Sequence, residues 1–428
     1  MASRWNIFIL LIAVLVAGCG ESKVITNPDE AQKLQGNKVQ VIEFWHTYND
    51  QESRILEREM IPSFERQFPD IKIMPVRQLY TNGLKNRLIA RSTSNRGPDV
   101  IRMKKDWVPD FYQNKLLFPL DEFPDLRQVR DALTREAMPA ALHQNQSYSL
   151  PMDMYVQVAI FNRELLKRAG YSKPPRTMEE TLELARQKRY IVGLGGLDTW
   201  RTLPYIYSLG GTVADVTFSK TTGYLNGKAT VRAVEKLRLL YKEGLTDRTL
   251  GEGVGDNYFQ WEGVKSGNVL ITDEGPWFYN NWTDTELQRA VKLTIPVPFP
   301  NGKGPSSLAD GEDLVITKGT KHPEAAWTFL KWMTGKEAQL MIAKSGLFPT
   351  NREAAHSMKV SRDSYLYPYQ EALTNAIQRP AIRNWEKIDE VYSIYLGKIL
   401  LGEISAKEGL TRAAEEIDRL LADSANLD

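Results

Sequence analysis

The stretch from Val39 to Met103 reads strand, helix, strand, helix, strand, and that order limits the possible folds more than any other feature of the chain. Val39 to Trp45, VQVIEFW, is a β-branched and aromatic run with an apolar finish, closed by the polar loop His46-Thr47-Tyr48-Asn49-Asp50. Leu56, Met60, Phe64 and Phe68 then recur every four residues as one helical face, in which Pro62 is expected to force a kink or a restart. A strand over Ile71 to Val76, a helix near Leu84 to Ala90 and, after Gly97-Pro98-Asp99, a short strand through Met103 complete the series. Strands alternating with helices specify a parallel sheet covered by helices, an α/β fold.

The chain opens MASRWNIFILLIAVLVAGCGESK, with one arginine ahead of an apolar run from Ile7 to Val16. That run is too short to span a bilayer as a mature helix and is built like a secretory signal. It ends Val16-Ala17-Gly18-Cys19, and Cys19 is the single cysteine, so a disulfide framework or thiolate metal cluster is excluded. Removing the signal leaves 428 − 18 = 410 residues, too many for one ordinary core and enough for two α/β lobes. Residues 21–38 are polar without an apolar period and read as a tether. The formal charge is +2 with basic residues spread along the chain, which argues against nucleic acid as a partner. Aromatic residues reach 10%, with 10 Trp and 18 Tyr, more than packing alone asks for, so some are expected to line a site.

Further along, Val156, Val158, Ile160 and Phe161 form a buried strand, and Asn162 caps the helix RELLKRA that stops at Gly170. Thr177 and Glu180 have capping-box spacing. Val231, Val234, Leu237, Leu240 and Tyr241 mark another helical face, Pro296, Pro298 and Pro300 an extended return, and Pro323 a helix start. Two helices close the chain, the second from Ser405 and Glu408. His46, His143, His322 and His356 are scattered without metal-ligand spacing, and neither a GxSxG elbow nor a phosphate-binding glycine loop is present. No metal, cofactor or enzymatic activity is therefore expected, although the 53 acidic residues leave a spatial glycosidase-type carboxylate pair as an alternative.

Four segments, "FWHTY…FERQFPDIKI…GPDVIRM", "YSLP…IFNRELLKRAGYSKPPRTMEETLELA", "FQWEGVKSGNVLITDEGPWF" and "ADGEDLVITKGTKHPEAAWTFLKWMTGKEAQLMIAKSGLFPTN", agree in order and spacing with one family. Over almost the whole mature chain they resemble family 1 of the extracellular solute-binding proteins, the maltose-binding-protein-like subunits that feed carbohydrate ABC importers. The resemblance implies a periplasmic-binding-protein-like fold of type II, with two lobes joined by a hinge and built from discontinuous segments. Residues 1–18 would be the lipoprotein signal peptide and 19–38 the tether. Residues 39–151 with 309–358 would form the N-terminal lobe, and 152–308 with 359–428 the C-terminal lobe. Val16-Ala17-Gly18-Cys19 resembles a lipobox, which implies diacylation of Cys19 and a lipid anchor on the extracytoplasmic face of a bacterial membrane. The implied partners are a carbohydrate ligand, ABC permease subunits and the membrane, with the protein itself a monomer. A non-sugar solute such as a polyol phosphate is the alternative ligand and would call for Arg or Lys in the cleft, where the sequence offers chiefly acids and aromatics, with Arg201 the exception.

By the same resemblance the ligand lies between lobes, at loops after strand ends. His46 and Tyr48 follow the first strand, with a local strand-end role for His46 equally open. Asp106 and Trp107 match the acid and aromatic set against sugar hydroxyls, a helix N-cap being the other reading of Asp106. Asp153 and Tyr155 alternate to one side of the first crossing, or else belong to an exposed hinge. Asp198 and Trp200 fall at a strand end, Trp277 on the Gly275-Pro276-Trp277 turn, and Glu312 in Asp310-Gly311-Glu312-Asp313, read as a tight turn. Trp385 is either a cleft aromatic or a packing residue at a helix start, whereas Trp261, Trp282, Trp327 and Trp332 are assigned to packing.

Overall fold

The computed structural model describes residues 39–80, 83–140, 142–143, 146–252, 257–280, 283–301 and 304–425. The signal, Cys19 and the tether lie outside the described residues, as does Trp282.

Two sheets carry the architecture. The larger contains β1 (Gln40–His46), β2 (Ile71–Arg77), β3 (Val100–Lys104), β4 (Ser149–Val156), β9 (Leu308–Ile316), β10 (Phe348–Pro349) and β11 (Ile377–Gln378). The smaller contains β5 (Val158–Asn162), β6 (Ile191–Gly193), β7 (Val269–Glu274) and β8 (Thr294–Val297). The expected parallel sheet holds for β1, β2 and β3, but β9 runs antiparallel to both β3 and β4, so the sheet is mixed. A chain that leaves a sheet and returns to it through a second body need not obey the crossover rule of a continuous βαβ series.

Each sheet has a core of its own, and a third cluster is shared, with Met154, Val156 and Ala309 of the larger sheet packed with Val158, Ile160 and Val269 of the smaller. One face of the larger sheet buries Ile42, Phe44, Phe64, Phe329 and Leu330, and the other Trp45, Leu88, Ile101, Met103 and Phe111. The smaller sheet buries Phe161 and Leu165 together with Ile388, Tyr392, Leu410 and Ala413 of the two closing helices, Trp385–Leu401 and Ala406–Ala425. Trp261, Trp327 and Trp332 are buried in cores.

The expected kink at Pro62 takes the form of a π turn over Leu56–Met60 between the helices Asp50–Ile55 and Ile61–Gln67. Pro62 has no N–H to close the regular ladder, and the wider turn ahead of it absorbs that loss. At the start of this segment Asn49 accepts from the N–H groups of Gln51 and Glu52, and Glu52 accepts from Asn49 N–H, all at 2.9 Å. Asn162 caps its helix by accepting from the N–H groups of Glu164 and Leu165. Thr177 makes half of its expected box: its hydroxyl accepts from Glu180 N–H, while the Glu180 carboxylate turns to Arg176 N–H.

The chain passes between sheets at single points. β4 stays in the larger sheet to Val156, beyond the 151/152 boundary drawn from the sequence, and Gln157 alone separates it from β5. Gln157 is fully buried; its N–H donates to Leu308 O and its amide to Asp273 at 3.0 Å. The second passage lies between β8 and β9, and the third follows β11 into the helix Trp385–Leu401.

Asp310-Gly311-Glu312-Asp313 is not a turn. All four residues are buried inside β9. A Cβ on Gly311 would sit 2.3 Å from the carbonyl oxygen of Asp153, so the glycine serves close strand approach rather than reversal. A bulge between Glu312 and Asp313 then re-aims Asp313 toward the Ser149 hydroxyl, 2.6 Å away.

Candidate ligand-binding site

A cavity of about 590 Å³ opens where the ends of β1, β3, β4 and β9 meet residues that follow β6 and β7. Tyr80, Tyr155, Trp200 and Trp277 are its aromatic lining; Arg102, Lys104, Arg201 and Arg379 its cations; Glu52, Asp198, Asp310, Glu312 and Asp389 its acids. Thr47, Asn49 and Leu347 complete it.

On the larger-sheet side, Arg102 forks onto Asp153, with Nε and Nη2 donating at 2.9 and 3.0 Å, while Nη1 reaches Thr47 at 2.9 Å and Glu312 at 3.2 Å. The ring of Tyr48 lies beneath the guanidinium, 4.1 Å from its centroid. Burial works against the Arg102 charge, but Asp153, Tyr48 and Glu52 together more than offset it and keep the guanidinium firmly protonated. Burial pushes the Glu312 carboxyl well up, opposed by the Thr47 hydroxyl, and the Tyr80 hydroxyl donates to the same group. Burial also lifts Glu52 to about 7 despite Arg102. Further along, Lys105 and Arg379 approach Asp310 at 3.2 and 3.3 Å and hold its carboxyl low against the effect of burial.

On the smaller-sheet side, Asp198 is the N-cap of the helix Thr199–Ser208, accepting from Arg201 N–H at 3.0 Å. Asp389, from the helix Trp385–Leu401, accepts from Thr199 N–H at 2.7 Å; burial, then the neighbouring Asp198 carboxylate, raise its pKa. Arg201 reaches inward to Glu274 at 2.9 Å and Asp273 at 3.2 Å. Trp277 folds back over Gly275, where a Cβ would lie 2.4 Å from the indole. Tyr155 then stands edge-on to both tryptophans, 5.7 Å from Trp200 and 5.2 Å from Trp277.

The cavity thus gathers Tyr155, Asp198, Trp200, Trp277 and Glu312 of the residues expected from the sequence. The other six sit behind its wall. His46 is packed between Phe44 and Tyr48 with its pKa lowered to about 3 by burial, then by Arg102, and strand alternation gives its place in the lining to Thr47. Tyr48 is fully buried and touches the site through Arg102. Asp153 spends both oxygens on Arg102. Asp106 is buried facing Arg379 at 3.6 Å, and Trp107 lies in the core with Met103 and Phe111. Trp385 is 2% exposed, covered by Phe218 and by the guanidinium of Arg379. The cavity also holds three cations, Arg102, Lys104 and Arg379, that the expected acid-and-aromatic lining lacked. Alternation along β3 carried the signal for two of them, since Ile101 and Met103 are apolar and buried while Arg102 and Lys104 occupy the opposite face.

Two sheets, joined at narrow passages and enclosing a cavity lined from both, define a two-lobed binding protein. A family model for the bacterial extracellular solute-binding proteins matches residues 59–366, and the chain belongs to that family. The maltotriose-binding protein of Pyrococcus abyssi is 22% identical over 78% of this chain and 72% of the relative. The maltodextrin-binding protein of Bacillus subtilis is 25% identical over 75% and 73%. Among solved structures, the GacH receptor of Streptomyces glaucescens, determined unliganded and with acarbose, superposes with a TM-score of 0.77 at 24% identity, covering 90% of this chain and 99% of the receptor. The fold is the periplasmic-binding-protein-like one that the sequence resemblance implied.

Proposed function

We propose that the chain captures a sugar or oligosaccharide in this cavity, closes over it at the three passages between sheets, and presents the closed form to the permease subunits of an ABC importer. The observation that carries this reading is the meeting of Tyr80 and Tyr155 from one lobe with Trp200 and Trp277 from the other, among carboxylates and guanidinium groups already held in place. A sugar offers apolar C–H faces and a rim of hydroxyls, which planar rings and fixed hydrogen-bonding groups complement. The relatives named for maltotriose and maltodextrin support the same ligand class.

A ligand that touches both walls favours the closed state over the open one, and this difference in affinity drives closure. Acylation of Cys19, read from the sequence, would keep the protein beside its transporter on the extracytoplasmic face. The site is read as binding without turnover: Asp198 and Asp389 cap one helix, and the acids of the other wall are engaged with arginines, lysine and hydroxyls. A thermal-shift screen of the purified protein against mono- and oligosaccharides tests the proposal. A true ligand at 100 times its Kd stabilises by about 2.7 kcal/mol. Absence of any shift across a broad glycan panel, with a shift for amino acids or peptides, would overturn it.

A further inference from the structure

Four cations line the cavity, and their charge balance is uneven. Arg102 is matched by Asp153 and Glu312, Arg201 by Asp273 and Glu274, and Arg379 by Asp310 and Asp106. Lys104 makes no salt bridge among the described residues; the acid that feels its charge is Asp106, which is itself paired with Arg379 at 3.6 Å. Its ammonium lies over the rings of Tyr80 at 5.2 Å and Trp107 at 5.9 Å, so the aromatic pair supports the stem at the cavity wall. The acid opposite Lys104 in the β3–β9 pairing is Glu312, which is already engaged by Arg102, Thr47 and the Tyr80 hydroxyl. Glu52, on the same wall, spends an oxygen on Asn49 N–H, and burial holds its carboxyl near 7.

We propose that Lys104 is the specificity-determining residue for an acidic sugar, a glycan unit carrying one carboxylate, seated against Tyr80. The inference rests on the sugar-binding reading and narrows it. One unmatched ammonium neutralises one monoanion. A phosphate dianion asks for a cluster or a bidentate guanidinium, and the three arginines here are committed to carboxylates. The charged unit sits at the Lys104 and Tyr80 end of the cavity because the acids there are already engaged, Glu312 by Arg102 and Asp310 by Lys105 and Arg379.

Isothermal titration of the purified protein with an oligouronide and with the same oligosaccharide after reduction of its carboxyls to alcohols tests this. The acidic glycan is expected to bind about tenfold more tightly at low salt, the scale of one charge-assisted hydrogen bond. Lys104→Met should erase the ratio, Lys104→Arg should keep most of it, and added salt should narrow it. Equal binding of both glycans, or a ratio that survives Lys104→Met in a protein with unchanged Tm, overturns the inference and leaves the sugar-binding reading standing. Failure of both glycans while a neutral maltodextrin binds overturns it equally. Failure of every glycan overturns the underlying reading as well.

Discussion

The two walls of the cavity use the same device, an arginine held by two acids, and anchor it differently. Arg102 on the larger-sheet side takes Asp153 from β4 and Glu312 from β9, the strands that continue into two of the passages between lobes. Arg201 on the smaller-sheet side takes Asp273 and Glu274, both at the end of β7 inside one lobe, with the crossing residue Gln157 adding a bond to Asp273. The first arrangement ties ligand groups to the hinge strands. The second ties them to a local helix cap and two tryptophans. One wall is anchored mainly in the strands that lead into the passages between sheets, the other mainly in a helix cap and a Gly-Pro-Trp turn within one lobe.

The largest effect separating them is expected from Arg102→Met. It leaves Asp153, 1% exposed, without its fork and Glu312 without a cation, and breaking a buried pair this way costs about 3–5 kcal/mol. Arg201→Met should cost less, because Gln157 and Tyr205 still donate to Asp273. Urea unfolding of the two variants measures the difference. Equal losses would show that the hinge strands gain nothing from Arg102.

Next in size is Gly311→Ala. Its Cβ would meet the Asp153 carbonyl at 2.3 Å, a backbone atom that cannot swing aside, so β4 and β9 must part. A cost of about 1–3 kcal/mol is expected from such overpacking, together with weaker ligand binding, since Tyr155 and Glu312 ride on the same two strands. Loss of stability with full affinity would separate the hinge strands from the site.

The smaller-sheet wall should behave in the opposite sense. Trp277 is only half-buried and rests on a glycine, so Trp277→Ala should weaken ligand binding by about 1–3 kcal/mol with little change in the Tm of the unliganded protein. Calorimetry beside a thermal melt decides it, and unchanged affinity would remove Trp277 from the site.

The difference between the walls also explains what could be read from the sequence. Trp200, Asp198 and Trp277 sit next to short local signals, a helix cap and a Gly-Pro-Trp turn, and these are legible in a few consecutive residues. The larger wall depends on partners 51 and 210 residues apart, namely Arg102 with Asp153 and with Glu312, and no local pattern announces them. His46, Asp106 and Trp107 fall at the expected strand ends, yet alternation turns His46 behind Thr47, and a 3-10 turn over Lys105–Trp107 carries Asp106 and Trp107 into the interior. The fold was far more legible, because strand periodicity, caps and Pro/Gly punctuation each act over a single element. The direction of β9, the burial of its three acidic residues and the extent of β4 needed the tertiary structure.

The smallest effect is a pH dependence that both walls share. Burial raises Glu52 to about 7 from 4.5, and Asp273 to about 7 from 3.8, with Arg102 and Arg201 respectively opposing it. A folded carboxyl that binds its proton more tightly than the unfolded one stabilises the protein in the protonated form. That stability is complete below the unfolded value and is lost as pH rises through 7. The unliganded protein should therefore lose stability between about pH 4 and 7, with a share from each wall. Glu52→Gln keeps an acceptor for Asn49 N–H while removing the titration, so it should flatten one share of the slope, and Asp273→Asn the other. Because Asp273 also receives Gln157 at the crossing, its variant should additionally shift the ligand-free melt at low pH, where Glu52→Gln should not. A double variant that keeps the full slope would place the titrating groups elsewhere and remove pH sensing from both walls.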